Sequence, residues 1–202
     1  MKKIMFASVL VLTAVSGSAM ATAITTGQLT FNWQGVIPTA PVTSTAWAFV
    51  DARDMPFVPG TEQLNISKTS TGIKAVSGKA YDFFIVPVTA GKVEVGSPVK
   101  RDSTKALNSV KAFLGSNPVS GGLIGNKQLA LASSSTVSDG HIAVNLNGSP
   151  LAVGSEHATT IGTSTDHQEH IVIDMNASIA TADVSDGASL SFVAPVVFSV
   201  DI

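Results

Sequence analysis

The residues best suited to chemistry lie together in one short segment, Asp166 to His170. Two imidazoles and two carboxylates within five residues could bind a metal ion or exchange protons. The segment leads into the apolar run IVIDM, which predicts a strand, and in an extended chain side chains three residues apart point to opposite faces. His167 and His170 would then not converge on one ion, and we predict a solvated loop with no metal site.

No other arrangement of residues indicates catalysis. The chain has no cysteine, which excludes thiol nucleophiles and cysteine-ligated metals. The Gly-x-Ser-x-Gly elbow, the Walker loop and the His-Glu-x-x-His helix are also absent from the sequence. Serine, histidine and aspartate are present, but a triad drawn from them without a motif is arbitrary. We predict no catalytic residue, no cofactor and no enzyme activity.

Aromatic side chains offer a second kind of site, a platform for a sugar ring. Trp47 and Tyr81 could stack on a carbohydrate. However, Trp33, Trp47, Phe83 and Phe84 lie in apolar strand patterns, so packing in the core is the better interpretation.

The first 21 residues are typical of a secretory signal peptide. Lys2 and Lys3 precede the apolar run Ile4 to Val15, and Ala19-Met20-Ala21 fits a signal peptidase site. We expect cleavage after Ala21, and Ala21-Thr22-Ala23 is a weaker alternative site. Removal of the two lysines changes the formal net charge from −2 to −4, which gives no reason to expect nucleic acid as a partner.

The remainder of the chain predicts a single all-β domain. Short apolar or alternating segments are separated by Gly, Pro, Asn, Asp and Ser, a pattern typical of a sandwich or barrel. Predicted strands cover residues 46–51, 63–68, 81–88, 91–99, 128–132, 141–146, 170–177 and 189–202. One segment differs: Ser103 to Gly115 places Leu107, Val110, Phe113 and Leu114 at helical spacing, which predicts one short helix within a loop-rich insertion.

Both ends of the predicted mature chain are amphipathic strands, where polar, frayed ends are the ordinary case. In GQLTFNWQGVI the residues on one face are Leu29, Phe31, Trp33, Gly35 and Ile37. In SLSFVAPVVFSVDI the apolar face continues to the last residue through Phe192, Val196, Phe198, Val200 and Ile202.

These two ends resemble those of the chaperone–usher pilus subunits of Gram-negative enteric bacteria. The front is similar to the family's Gly-x-Val-x-Phe-x-Gly-x-Val extension, and Phe198-Ser199-Val200-Asp201-Ile202 resembles its Phe-x-Val-x-Tyr ending. Asp201 stands in place of the usual penultimate tyrosine, and Ile202 is the nearest apolar substitute. Two residues more than usual separate Phe31 from Gly35, although Trp33 can take the place of the family's phenylalanine. Val42 stands where many pilins have a cysteine, which indicates a cysteine-free subgroup.

The resemblance implies an incomplete immunoglobulin-like β-sandwich that lacks its last strand. Residues 22–37 would be a donor-strand extension, and residues 38–202 the pilin domain. The extension of one subunit would fill the groove of another with Leu29, Phe31, Trp33, Gly35 and Ile37 as its plugs. The strand with Phe192, Val196, Phe198, Val200 and Ile202 would form the groove wall and the chaperone contact.

The implied partners are like subunits, a periplasmic chaperone, an outer-membrane usher, and a host glycan or protein receptor. The implied function is that of a structural subunit of a surface fimbria that supports adhesion to host surfaces. The alternative from the residues themselves is a self-contained secreted carbohydrate-binding β-sandwich, in which both termini pair within one domain.

Overall fold

The computed structural model describes residues 46–89, 96–162 and 167–202. The predicted signal peptide, the predicted donor-strand extension and Val42 lie outside these residues. The described part contains thirteen strands: β1 Trp47–Val50, β2 Leu64–Lys68, β3 Gly72–Ser77, β4 Tyr81–Pro87, β5 Ser109–Leu114, β6 Val119–Gly121, β7 Ala130–Leu131, β8 His141–Leu146, β9 Ser149–Pro150, β10 Thr159–Gly162, β11 Glu169–Ala180, β12 Ser191–Val193 and β13 Val196–Asp201.

The larger sheet is built around the long strand β11. On one edge, the first half of β11 pairs with β4 and the second half with β3, while β8 pairs with the other edge. The order β1-β4-β11-β3-β2 follows, with the short strands β7 and β9 attached to β8. All these pairs are antiparallel except β7 with β8.

The second sheet has the order β10-β5-β13, and β6 and β12 form a short ladder of their own. The outer face of β5 carries Lys111, whereas Val110, Ala112 and Leu114 are fully buried on the inner face. Those three residues pack against Phe83, Ile85 and Ile171 from the larger sheet. The two sheets therefore face each other across an apolar core, which confirms the predicted all-β, immunoglobulin-like sandwich.

Among the described residues, the interior consists of three apolar clusters. The first lies between β4, β5, β8 and β11. The second joins Ile73, Ile142 and Ile179 of the larger sheet to Leu123 and Leu129. The third lies on the other face of β1 and β4, where Val50, Val86 and Val99 are in contact. Because β1 and β4 are buried on both faces, they read as apolar runs and not as simple alternation.

The predicted helix over Ser103–Gly115 is wrong. Residues 109–114 form β5, and the only helical segments in the described ranges are single 3₁₀ turns. Helical spacing of Val110 and Phe113 is real in the sequence, but Val110, Ala112 and Leu114 also alternate. Pairing with β10 on one edge and β13 on the other satisfies the backbone of β5 on both sides, so tertiary context decides for the strand. The segment is a central strand and not an insertion.

Most of the other predicted strands are present, with shifted ends. The strand predicted over 189–202 is divided into β12 and β13 at Ala194-Pro195. Of the strand predicted over 91–99, only residues 96–99 are described, and they lie outside the strands. The strand β3 was not predicted, because Ile73 is the one large buried side chain in its GIKAVS segment. The short strands β6, β9 and β10 were not predicted either. None of the described segments is a helix long and apolar enough to cross a membrane.

Candidate functional site

Strand β13 lies at the end of its sheet. It pairs with β5 in the register Val196 with Leu114 through Asp201 with Ser109. The carbonyl oxygens of Pro195 and Asp201 both accept hydrogen bonds from the β5 side, from Gly115 N and Asn108 N, each at 2.9 Å. In an antiparallel ladder the N–H and C=O of one residue point the same way, and successive residues alternate.

The even-numbered residues of β13 therefore direct their backbone groups away from β5. Val196, Phe198 and Val200 present an N–H and a C=O each to that outer edge. Within residues 46–89, 96–162 and 167–202, no strand pairs with it. An edge of this kind is a template for an additional strand.

The side chains of the same even-numbered residues face the core. Val196, Phe198, Val200 and Ile202 are half-buried and pack against the first cluster, while the side chains between them are exposed. The strand thus combines a backbone edge without a described partner strand and an apolar inner face that its neighbours cover only in part.

Phe198 joins β13 to an aromatic cluster formed by Trp47, Phe49, Phe57, Tyr81, Phe83 and Phe198. The Phe198 ring lies edge-on to Phe49 at 5.2 Å and to Phe83 at 6.0 Å between ring centroids. Phe49 belongs to β1, the terminal strand of the larger sheet in the described order. Terminal strands of the two sheets therefore meet on the same side of the sandwich, through the contact of Phe49 with Phe198.

The two residues considered as sugar platforms are part of this aromatic cluster. Trp47 packs edge-on against Phe49 at 5.0 Å, and Tyr81 packs edge-on against Phe57 at 6.5 Å. The Tyr81 hydroxyl donates a hydrogen bond of 2.6 Å to the carbonyl of Gly60. Burial raises the pKa of the Tyr81 phenol, and the nearby Glu62 charge acts in the same direction, so the hydroxyl stays a neutral donor.

Phe192 lies apart from the other predicted wall residues. It belongs to β12, which pairs with β6, and it packs against the second cluster. The remaining four predicted wall residues form one strip on β13 or directly after it. The predicted plugs Leu29, Phe31, Trp33, Gly35 and Ile37 lie outside the described residues.

The two histidines that opened the sequence analysis have separate partners. His170 Nε2 lies 2.8 Å from Asp82 Oδ1, and its ring stacks on Phe84 at 4.9 Å. His167 Nδ1 contacts the carbonyl oxygen of Lys105 instead. In the part of the chain that the structure describes, no group of three or more histidine and carboxylate side chains is close enough to hold a metal ion.

Sequence reasoning missed Phe49 and Phe57 as members of the aromatic cluster. Phe57 stacks on Phe83 with ring centroids 4.4 Å apart, although it lies in a Pro-rich segment that reads as a loop. The alternation of Phe49 with Trp47 in AWAFVD is visible in the sequence and indicates that Phe49 is buried. The contact of Phe49 with Phe198 is not visible there, because the two residues lie far apart along the chain.

Comparison with known proteins places the chain in a family. No family model matches the chain. The chain is 55% identical over 203 residues to a CS5 fimbrial subunit of Escherichia coli, and the alignment covers 100% of this chain and 99% of the relative. The chain therefore belongs to the fimbrial subunits, the non-enzymatic structural proteins that are exported to the cell surface as parts of a fimbria.

Proposed function

We propose that this subunit polymerises by donor-strand exchange, with the outer edge of β13 as the acceptor. The residues 27–37 of a second copy would add a strand beside β13. The observation that carries the proposal is the combination on β13 of an edge without a described partner strand and a half-buried apolar face.

The backbone supplies part of the affinity. Val196, Phe198 and Val200 offer six backbone groups to the incoming strand, and strand addition pairs such groups along its whole length. Each hydrogen bond contributes only about 1 kcal/mol net, but a buried group left without a partner costs about 1–3 kcal/mol. The edge is therefore stable in the fibre only when a strand covers it.

The side chains of the extension supply the remaining affinity and set the register of the added strand. Leu29, Phe31, Trp33, Gly35 and Ile37 alternate, so all five would face the same side as the half-buried apolar strip of β13. Burial of these plugs would remove several hundred Å² of apolar surface from water, roughly 10 kcal/mol at about 25 cal/mol per Å² before ordering costs. A slip by one residue would turn the plugs outward, which fixes the register.

The same edge requires cover before assembly, because an exposed strand edge leads to aggregation. A periplasmic chaperone that lends a strand to β13 meets that requirement, and an outer-membrane usher is the place where chaperone strand and subunit strand exchange. Head-to-tail addition does not close, so it generates a fibre. We further propose that the fibre supports adhesion to host surfaces through a glycan or protein receptor.

The test uses a synthetic peptide of residues 27–37 and a chain that lacks residues 1–37. We expect the peptide to raise the Tm of this chain in a concentration-dependent way, since a ligand of the native state alone stabilises it. The control peptide carries Phe31→Asp, which places a charge at one plug and is expected to have no effect. A chain whose Tm is unchanged by the native peptide would refute donor-strand exchange.

The mature chain of residues 22–202 separates the alternative, a self-contained carbohydrate-binding sandwich. Such a protein would hold its own terminal strand, so an added peptide of residues 27–37 would have no vacant edge to occupy and would leave the Tm of the mature chain unchanged. Its full mature chain would also remain a monomer at all concentrations.

A further inference from the structure

The outward faces of the β6–β12 ladder and of the adjoining end of the β5–β13 ladder carry apolar side chains. Val193 of β12 lies opposite Val119 of β6, and Val197 of β13 lies opposite Phe113 of β5. Val193 is 65% exposed, Val119 57% and Val197 40%. Val193, Pro195 and Val197 are the exposed residues of the alternating segment that passes from one ladder to the other. We name these three residues and their strand partners the outer valine patch (Phe113, Val119, Val193, Pro195 and Val197).

The patch is confined to this end of the sheet. At the other end, the outward residues of the paired strands are Ser199 opposite Lys111 and Asp201 opposite Ser109. Val197 lies directly over the backbone of Gly115, where an added Cβ would meet its Cγ2 at 3.2 Å. A contiguous apolar patch beside polar residues is typical of an interaction surface.

We propose that the outer valine patch binds the folded body of a second copy of this chain, the copy whose N-terminal extension lies on β13. This inference rests on the proposed function. The patch begins on the outward face of β13 itself, so it is continuous with the proposed acceptor edge. Occupation of the edge would therefore bring the neighbouring copy to the patch.

The length of chain before the described residues limits where that neighbour can be. The extension ends at Ile37 and the described part begins at Ala46, so residues 38–45 connect them. At about 3.3–3.6 Å per residue, this connection spans at most about 30 Å. The body of the donor copy is thus held within about one domain diameter of β13.

The tether explains how so small a patch can act. Five side chains cannot bury the roughly 1,000 Å² that a free protein–protein interface needs. A short connection raises the effective concentration of the second contact to about the millimolar range, so a weak apolar contact becomes populated. The contact would restrict rotation between successive subunits and stiffen the fibre.

The test places the photo-crosslinking residue benzoylphenylalanine at Val193 in assembled fimbriae, with Val76 as the matched control position. Val76 is also an exposed valine on a strand, at 43%, but it lies on β3 of the other sheet. After illumination and boiling in SDS, we expect crosslinked dimers from position 193 and only background crosslinking from position 76, because the proposal places no neighbouring copy against Val76. Equal crosslinking at the two positions would overturn the proposal.

Substitution gives a second readout that separates this proposal from donor-strand exchange. Val193→Lys and Val76→Lys fimbriae are compared with wild type by ladders in unboiled SDS and by fibre stiffness in electron micrographs. We expect wild-type ladders in both variants and flexible fibres in Val193→Lys alone. Val193→Lys fibres as stiff as wild type would refute the patch contact. Loss of the ladder in Val193→Lys would also refute it, because Val193 would then take part in strand exchange and not in a separate contact. Absence of the ladder in wild type would instead refute strand exchange and, with it, the tether on which the patch contact depends.

Discussion

Replacement of Phe198 by alanine tests whether the inner face of β13 is part of the core. Complete burial of a phenylalanine is worth about 3–5 kcal/mol in a Phe→Ala change, and Phe198 is half-buried, so about 2 kcal/mol is expected from burial. Loss of its edge-on contacts with Phe49 and Phe83 adds about 1 kcal/mol. We expect Phe198→Ala to lower the free energy of unfolding by about 3 kcal/mol.

The measurement is urea denaturation of the purified mature chain at low concentration, followed by tryptophan fluorescence. Trp47 lies in the same aromatic cluster, so its emission reports on this region. With a slope of about 2 kcal/mol per molar urea, the midpoint should fall by about 1.5 M. The matched variant Val197→Ala removes an outward side chain from the same strand and should change stability by less than about 0.5 kcal/mol. Equal shifts in the two variants would refute the assignment of inner and outer faces on β13.

Two further predictions concern the extension and the acidic groups. Phe31→Asp should abolish polymerisation while Thr30→Asp should permit it, because Phe31 lies on the proposed plug face and Thr30 does not. Ladders in unboiled SDS measure polymerisation, and their loss in both variants would contradict the assignment of the plug face. Hydrogen bonds from the Thr104 hydroxyl and backbone N–H lower the pKa of Asp102 below its ordinary 3.8. The ionised carboxylate therefore stabilises the fold above pH 3.8, and this stabilisation is lost as the pH falls through the lowered pKa. The urea midpoints of wild type and Asp102→Asn should therefore differ at pH 6, and the difference should shrink as the pH falls below 3.8. A difference that stays constant with pH would show that the charge plays no part.

The sequence predicts the strands whose pattern is local. His141–Leu146 is recovered with its observed bounds, and β11 contains the predicted strand over 170–177. The segment that forms β5 satisfies helical and strand patterns together, because Leu107 and Phe113 add a helical spacing to the alternation of Val110, Ala112 and Leu114. Only its two neighbouring strands decide between the patterns, and they come from distant parts of the chain.

The candidate site was predictable only where its pattern is local in the sequence. The apolar face of the C-terminal strand is visible in the sequence, and four of its five predicted residues lie together on or directly after β13. The position of Phe192 in another cluster depends on the break at Ala194-Pro195, where the chain passes from the ladder with β6 to the ladder with β5. The contact of Phe49 with Phe198 joins the two sheets, and no local pattern predicts it.

Amide hydrogen exchange along β13 tests the central claim most directly. In the chain that lacks residues 1–37, the amides of Val197 and Ser199 point toward β5 and should exchange slowly with or without the peptide of residues 27–37. The amides of Phe198 and Val200 point to the outer edge and should exchange fast in the free chain and slowly once the peptide is bound. The account would be contradicted if the amides of Phe198 and Val200 exchange slowly without the peptide. It would also be contradicted if they still exchange fast when the peptide is present.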